Sequence, residues 1–499
     1  MIQKLSQIDK YFIIAFFIGL AIRLFAIPFA MSSGGDAVVR IFIAQEWMKD
    51  PTIITSGVWG PLHTYLTAGI LYIWNDAVYA PLFLNCIFSA SVAIPLYLFV
   101  KHEWNESAAL FVACLYLLFP VGIRYGLDTL TELPFIFFIT LSMLFLSYAR
   151  SEQGNWKHAF IAGFMITIAG SLRYESWGLT PFLGLLLWKK WKEMFLFFAT
   201  SAIFPIFWMT GNYLEYQDPF YSFNWAVDWV TNVSGFTEEV TVIDRINRFL
   251  FYPRALIFGL TPLAFLVCCA GVFFVLYYRQ KQWVWIIPFA ALTGTYILNA
   301  VRGDFSTQVR YSINLAIFMI PFAGEWYLRQ KEKRRFLYSA LVLISILPLS
   351  YLHYIIPWPF DFPHPVPYQV SPIPRLDEAA VNISESQILI SEENSGGLLL
   401  DFYAWDETYY IALMSRKDPS TIFIMPGEEH EPIEMERLEK FLANNPNGVL
   451  LLTETHRYIE VQSIDSGEQI MIEGYPKPLI IELIEKVEDV AFYKYTLSP

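Results

Sequence analysis

The sequence predicts a polytopic α-helical membrane bundle of about eleven transmembrane helices, carrying a small C-terminal α/β domain outside the membrane. Three observations predict it. Of 499 residues, 55% are hydrophobic, 18% aromatic and 16% charged, whereas a soluble globular chain carries about 25% charge. Apolar runs of spanning length recur through the first 356 residues. Charge then divides sharply: residues 357–499 hold 9 Lys and Arg against 25 Asp and Glu, while residues 1–356 hold 25 against 21. The break falls in a proline-rich stretch and reads as a domain boundary.

A span needs roughly 17–25 mostly apolar residues. Such runs lie near 11–31, 79–100, 107–123, 134–149, 159–172, 175–188, 194–212, 255–277, 283–301, 311–328 and 336–356. The runs at 159–172 and 175–188 are short and read as broken or tilted. The first run follows Lys4 and Lys10, lacks a small-x-small cleavage site and reads as an uncleaved anchor. Arg23, towards its outer end, is expected to snorkel outward or pair with an outer acid. All four cysteines lie in apolar runs without zinc spacing.

Loop charge orients the spans. One set of loops holds fifteen cations, ten of them Lys; the opposite set holds nine, eight of them Arg. The lysine-rich side is read as cytoplasmic. The N-terminus is then cytoplasmic, and the C-terminal domain of this multi-pass cell-membrane protein is extracytoplasmic. Arginine on the other side suits anion binding, since its planar fork matches phosphate or carboxylate.

That arginine-bearing side carries the chemistry. The first outer loop, 32–78, opens with Gly34-Gly35-Asp36 and runs into a helix with Arg40; Asp50-Pro51 ends it. Taken locally, Asp36 is an N-cap and an i,i+4 partner for Arg40. Gly57-Val58-Trp59-Gly60-Pro61-Leu62-His63 follows, then a second short helix from Thr64 to Trp74. Both helices read as lying at the membrane interface. The second outer loop carries Asp128 and Glu132, four apart, so that a helical turn would place both on one face. Their repulsion calls for a metal or a basic partner. The third is a tight turn, Arg173-Tyr174-Glu175, at the edge of hydrocarbon, where charge is costly unless used. The fourth, 213–254, is aromatic and fits an interfacial belt or sugar stacking. Arg302-Gly303-Asp304 leads to Arg310-Tyr311 at the mouth of a late span.

The segments are therefore a membrane domain at 1–356, a stiff proline-rich linker at 357–385 and a soluble domain at 386–499. In the tail, 387–391, 398–402, 421–425, 449–453 and 479–483 read as strands, and 432–444 and 404–415 as helices. Its acidity argues against nucleic-acid partners. Asn232-Val233-Ser234 and Asn382-Ile383-Ser384 are sequons facing outward.

This order of motifs resembles the GT-C superfamily of polyprenyl-phosphate-sugar-dependent glycosyltransferases, with protein O-mannosyltransferases and aminoarabinose transferases as the nearest kin. The resemblance covers about 1–356. It rests on Asp36 at the start of a large outer loop, the two short helices, Pro61-Leu62-His63, the acids Asp128 and Glu132, and Arg310-Tyr311. The chain departs from the aminoarabinose-transferase pattern at Val58-Trp59-Gly60 and at His63, and lacks the Trp-Trp-Asp motif of oligosaccharyltransferases.

The resemblance implies a GT-C-like fold and a sugar moved from a lipid-phosphate donor, held among membrane lipids, to a glycan, lipid or protein acceptor. Asp36 is the expected general base, with inversion. Arg310, Arg173, Arg40 and Tyr311 are expected at the donor phosphate. Asp128, Glu132, Glu175 and His63 are expected on the acceptor side, with Asp128 and Glu132 also able to hold a divalent cation (Mg or Mn). A multi-span transporter or flippase of a lipid-linked glycan would also place charges around a cavity, but it predicts inverted repeats and mid-membrane polar groups. No convincing repeat is present.

Overall fold

The computed structural model describes residues 6–27, 35–77, 79–230, 241–303, 305, 307–355, 397–401, 421–424, 432–453, 459–464, 467–472, 475–487 and 490–498. Gly34, Asp304, both sequons, the 357–385 linker, the strand expected at 387–391 and the helix expected at 404–415 lie outside the described residues. The chain forms two compact units. One comprises Met1–Phe25, Trp47–Thr67 and Phe83–Gln369; the other comprises Ala26–Glu46, Ala68–Leu82 and Val370–Pro499.

The helices in order are α1 (Gln7–Ala26), α2 (Gly35–Lys49), α3 (Leu62–Ile73), α4 (Tyr79–Ser91), α5 (Ala93–Glu103), α6 (Glu106–Leu117), α7 (Pro120–Arg124), α8 (Glu132–Arg150), α9 (Trp156–Gly170) and α10 (Glu175–Gly184). They continue with α11 (Trp191–Ser201), α12 (Ile203–Tyr216), α13 (Tyr221–Asp228), α14 (Val242–Leu260), α15 (Pro262–Tyr277), α16 (Ile286–Arg302), α17 (Ser312–Met319), α18 (Ala323–Arg329) and α19 (Glu332–Ile355). Four stretches are long and apolar enough to cross a membrane: Tyr79–Glu103, Glu132–Arg150, Trp191–Tyr216 and Lys281–Arg302. Two bent pairs bring the number to six if each is one span. The eleven apolar runs thus do not resolve into eleven straight spans among the described residues.

Proline explains the breaks. α6 and the segment Pro120–Leu127 meet at 57°, with Pro120 at the first helical position, where its missing N–H costs nothing. The single span expected at 255–277 is instead two helices, α14 and α15, bent by 110°. Thr261 between them has φ +72°, outside the helical region, and Pro262 opens the second helix. The 311–328 run is likewise in pieces, with a 3₁₀ turn at Ile320–Phe322 around Pro321.

One contiguous apolar core runs from Phe12 of α1 to Ile346 of α19. Small residues let backbones approach: Ala159, Ala162 and Ala169 line the buried face of α9, and a Cβ at Gly271 of α15 would lie 1.9 Å from the Phe322 carbonyl. The loops carrying the lysine-rich set gather at one end of this unit. Glu103 pairs with Arg150 at 3.6 Å, Lys101 with Asp9 at 2.7 Å and Glu106 at 2.9 Å, and Glu325 with Arg329 at 2.7 Å. Gln282 donates to the Glu103 carbonyl at 2.5 Å, and Lys190 donates to the carbonyls of Ala149 and Ser151.

Arg23 does not snorkel, and among the described residues it pairs with no acid. It is fully buried and donates from Nε to Ser89 Oγ at 2.7 Å and from Nη1 to the carbonyls of Gly19 and Leu117 at 3.0 and 2.9 Å. Leu117 ends α6 at the bend, so one of the two carbonyls under the guanidinium is at a helix C-terminus, where a cation is favoured.

The second unit contains a seven-stranded sheet built from β1 (Gly397–Asp401), β2 (Thr421–Ile424), β3 (Asn447–Thr453), β4 (Ile459–Ile464), β5 (Gly467–Ile472), β6 (Leu479–Val487) and β7 (Val490–Leu497). Its order is β2-β1-β3-β7-β6-β5-β4. β1 runs parallel to β2 and β3, and the other pairings are antiparallel. Helix α20 (Pro432–Asn444) buries Leu438 and Leu442. The expected strands at 398–402, 421–425, 449–453 and 479–483 and the helix at 432–444 are present; β4, β5 and β7 were not expected.

Candidate active site

The local framework of the site starts at a glycine. Gly57 has φ +128°, a region that residues with a Cβ avoid. Its N–H donates to Asn212 Oδ1 at 2.9 Å, and its carbonyl accepts from Ser222 Oγ at 2.5 Å. The Ser222 oxygen in turn accepts from Trp208 Nε1 at 3.0 Å and Asn212 Nδ2 at 2.9 Å. One residue on, the Val58 carbonyl accepts from Tyr174 Oη at 2.8 Å. Gly60 presses on the Ser171 carbonyl so closely that a Cβ would lie 2.2 Å from it, and Leu62 N–H donates to that same oxygen at 3.3 Å. The Gly57–Leu62 strip is therefore bolted to the α9–α10 turn, which carries Arg173.

Arg173 stands at the centre of an ionic cluster. Its Nη1 lies 2.6 Å from Glu132 Oε1, and its Nε and Nη2 donate to Glu175 Oε1 at 3.0 and 2.6 Å. Nη1 also reaches Thr131 Oγ1 at 3.3 Å. Arg310 approaches the same Glu132 oxygen, Nε to Oε1, at 3.3 Å. The side-chain exposures are 1% for Glu132, 12% for Arg173, 15% for Arg310 and 17% for Glu175. Burial works against the Arg173 charge, but the adjacent Glu175 and then Glu132 outweigh it and hold its pKa well above the ordinary guanidinium value. Glu132 Oε2 is buried and accepts no hydrogen bond among the described residues.

Aromatic rings enclose the cluster. Both guanidiniums lie over the Tyr311 ring, Arg173 at 4.7 Å and Arg310 at 5.4 Å from its centre. Tyr311 stacks on Phe305 at 4.8 Å, and Phe305 on Tyr296 at 5.4 Å. Tyr296 Oη donates to Glu175 Oε1 at 3.3 Å and accepts from Asn314 Nδ2 at 2.9 Å. Tyr252 packs against Tyr296 at 5.2 Å.

The structure thus joins five of the expected residues: Glu132, Arg173, Glu175, Arg310 and Tyr311. Others lie elsewhere. Asp128 does not share a helical turn with Glu132: its backbone is extended, φ −133° and ψ 140°, and α8 begins only at Glu132. The Asp128 carbonyl accepts from Asn85 Nδ2 and from Leu130 N–H. The repulsion anticipated at Glu132 is met by two basic side chains. Among the described residues, no group of three or more His, Cys, Asp and Glu is arranged to hold a metal ion, so the cation expected at Asp128 and Glu132 has no such ligand set. His63 is buried on α3, its Nδ1 3.4 Å from Thr67 Oγ1. Asp36 and Arg40 lie on α2 within the other unit, Asp36 in the first helical turn.

Sequence reasoning passed over Thr131, Tyr252, Tyr296 and Asn314. The signal available for Tyr296 and Asn314 was polarity inside the 283–301 and 311–328 apolar runs, where an unused polar group is costly.

Residues 58–210 match the family model described as dolichyl-phosphate-mannose-protein mannosyltransferase. That segment contains Glu132, Arg173 and Glu175. No curated protein matches the sequence. Among solved structures, the fold is similar to that of ArnT from Cupriavidus metallidurans bound to undecaprenyl phosphate. That likeness has 9% identity, 97% of each chain covered and a TM-score of 0.64. It is also similar to the Archaeoglobus fulgidus oligosaccharyltransferase complex with Zn and sulfate, at 13% identity, 93% of this chain and 73% of the other, TM-score 0.53. The same organism's AglB, in complex with an inhibitory peptide and a dolichol-phosphate, gives 11% identity, 89% and 70% coverage, and a TM-score of 0.51. Family match and fold bear out the resemblance to the GT-C superfamily of polyprenyl-phosphate-sugar-dependent glycosyltransferases. The chain is a multi-pass membrane protein.

Proposed function

We propose that this chain moves a sugar from a polyprenyl- or dolichyl-phosphate carrier to a lipid, glycan or protein acceptor at the outer membrane face, from a bundle of about eleven spans. The observation that carries the reading is the Glu132–Arg173–Arg310–Glu175 cluster. Four ionised groups within an apolar bundle are expensive to bury and add little stability, so their retention points to use.

In this reading the acceptor oxygen attacks the anomeric carbon as the sugar–phosphate bond breaks, with inversion. The bonding pair leaves on the phosphate oxygen, turning a diester into a monoester with additional negative charge. Arg310 and Arg173 supply the positive charge that this oxygen needs, and Arg40 and Tyr311 complete the donor set. Asp36, opening α2, takes the acceptor proton as general base. Asp128, His63 and Glu175 serve the acceptor side, and the cytoplasmic side is the lysine-rich end.

The test is incubation of the purified protein in lipid nanodiscs with labelled polyprenyl-phosphate sugars, following release of polyprenyl phosphate. Asp36→Asn is expected to slow release at least about 100-fold. Its melting temperature should nearly hold, because losing one carboxylate charge in a helix's first turn costs about 0.3–1 kcal/mol. A wild-type protein inert with every donor sinks the proposal, and undiminished turnover in the Asn variant sinks the base assignment.

A further inference from the structure

The bend at Thr261 turns α14 away from α15 and leaves one side of α14 exposed. We infer that α14 is a membrane-surface helix, lying nearly in the plane of the bilayer with the apolar stripe of its first half seated in phospholipid at headgroup level. The inference does not depend on the transferase reading.

α14 and α15 are opposites in composition. The 19 residues of α14 include Asp244, Arg245, Arg248 and Arg254, and charge of that density is costly at hydrocarbon depth. α15 holds no charged residue. Its Leu266, Phe273 and Leu276 are exposed, as side chains facing lipid are. The two axes meet at 110°. With α15 running along the bilayer normal, α14 lies within about 20° of the membrane plane, the excess of that angle over a right angle.

The sequence of α14 suits that position. Thr241 and Asp244 close a capping box that starts the helix. Val242, Ile246 and Phe249 then fall at i, i+4 and i+7, one stripe of a helix, with Ile243 beside them. All four are between 52% and 74% exposed. Past the bend, α15 opens with Leu263 and Leu266, likewise exposed. By helical position, Arg245 borders the stripe on the Phe249 side and Arg254 on the Ile243 side. Arginines at the edges of an apolar stripe lay their stems along it and lift their charge to the lipid phosphates. The other side of α14 packs on α16 and α17. There Tyr252, fully buried, lies against Tyr296, whose hydroxyl donates to Glu175. One helix therefore joins the lipid surface to the ionic cluster and holds the cluster at the membrane boundary.

The experiment places a nitroxide on Val242→Cys, Ile246→Cys, Phe249→Cys and Leu266→Cys variants of the full-length protein in vesicles of phosphatidylcholine and phosphatidylglycerol. All four positions are exposed, so labelling leaves the packing intact. Wild type treated alike gives the background from its four free cysteines. Power saturation with oxygen and with a water-soluble nickel chelate reads the depth of each label. The three α14 labels are expected to favour oxygen and to share one shallow depth within about 4 Å, with the Leu266 label deeper. A helix continuing the direction of α15 would instead part Val242 and Phe249 by about 10 Å in depth. That gradient overturns the inference. So do α14 labels that favour the nickel chelate, which places the stripe in water, or labels shielded from both reagents, which places it against a second copy or another protein.

Discussion

Both ends of the helical unit carry ion pairs, yet only one end places them where helices want them. At the lysine-rich end, Lys101, Arg150 and Arg329 sit in the last turns of α5, α8 and α18, while Asp9, Glu106 and Glu325 sit in first turns. Cations at C-termini and acids at N-termini complement the helix dipole. Glu103, at the end of α5, is the exception, and Arg150 and the Ser147 hydroxyl meet its charge. At the other end, Glu132 and Glu175 begin α8 and α10 as the dipole favours. The arginines do not fit: Arg173 stands two residues before α10 and Arg310 in the 3₁₀ turn running into α17. Two cations beside positive helix ends are costly by themselves, and here buried carboxylates, Glu132 and Glu175, are what offset that cost. The first end is explained by folding alone, and the second is not.

The sharpest way to break this contrast is to remove one arginine from each end. Arg310→Gln is expected to cut donor-dependent turnover about 100- to 1,000-fold, the loss typical of one group aimed at developing charge. Arg150→Gln should change turnover less than about threefold, because its partners Glu103 and Trp285 face no reacting group. Release of labelled polyprenyl phosphate measures both. Equal losses would erase the distinction between the ends.

Stability separates the acids in the same way. Glu132→Ala removes the buried acid that Arg173 and Arg310 share, and is expected to cost about 3–5 kcal/mol. Glu106→Ala removes a side chain that is 38% exposed, opposite a lysine that is 30% exposed, and should cost about 0–1 kcal/mol. Denaturation midpoints in one detergent would show the gap. Similar values would mean the buried cluster is an ordinary structural pair.

How much of this was legible depends on whether a residue's partner is near in sequence. Arg173 and Glu175 share a four-residue turn between two apolar runs, so a charged pair there was readable directly. Glu132 and Arg310 were readable as charged groups at span ends, but their meeting required α8 and α17 to be packed together. Tyr296 and Asn314 looked like members of apolar runs, because periodicity does not reveal which face of a buried helix meets a charge. Asp128 was misplaced because i,i+4 spacing implies a shared face only inside a helix, and α8 starts four residues later. The bend at Thr261 was missed because apolar composition carried on through it. In the tail, the apolar–polar alternation Ile459-Glu460-Val461-Gln462 of β4 was a readable strand signal that was passed over. The charge division between loops was legible in full, and the loops of the lysine-rich set do gather at one end.

The smallest expected effect tests whether that lysine-rich end is as ordinary as its geometry suggests. Lys101→Met deletes a partly exposed pair with Asp9 and Glu106 and should cost about 0–1 kcal/mol. Asp9 precedes the first apolar run. The Lys101 ammonium holds its carboxyl below the usual carboxylate range; burial opposes this, and the Tyr97 hydroxyl adds to it. A carboxyl with a depressed folded pKa contributes stability above its unfolded value, about 3.9, and loses it as pH falls through the folded value. The difference in melting temperature between wild type and variant should therefore stay level from about pH 8 to pH 5 and close only in stronger acid. A difference that closes already near neutral pH would mean the pair answers to another titrating group. The lysine-rich end would then need a functional account of its own.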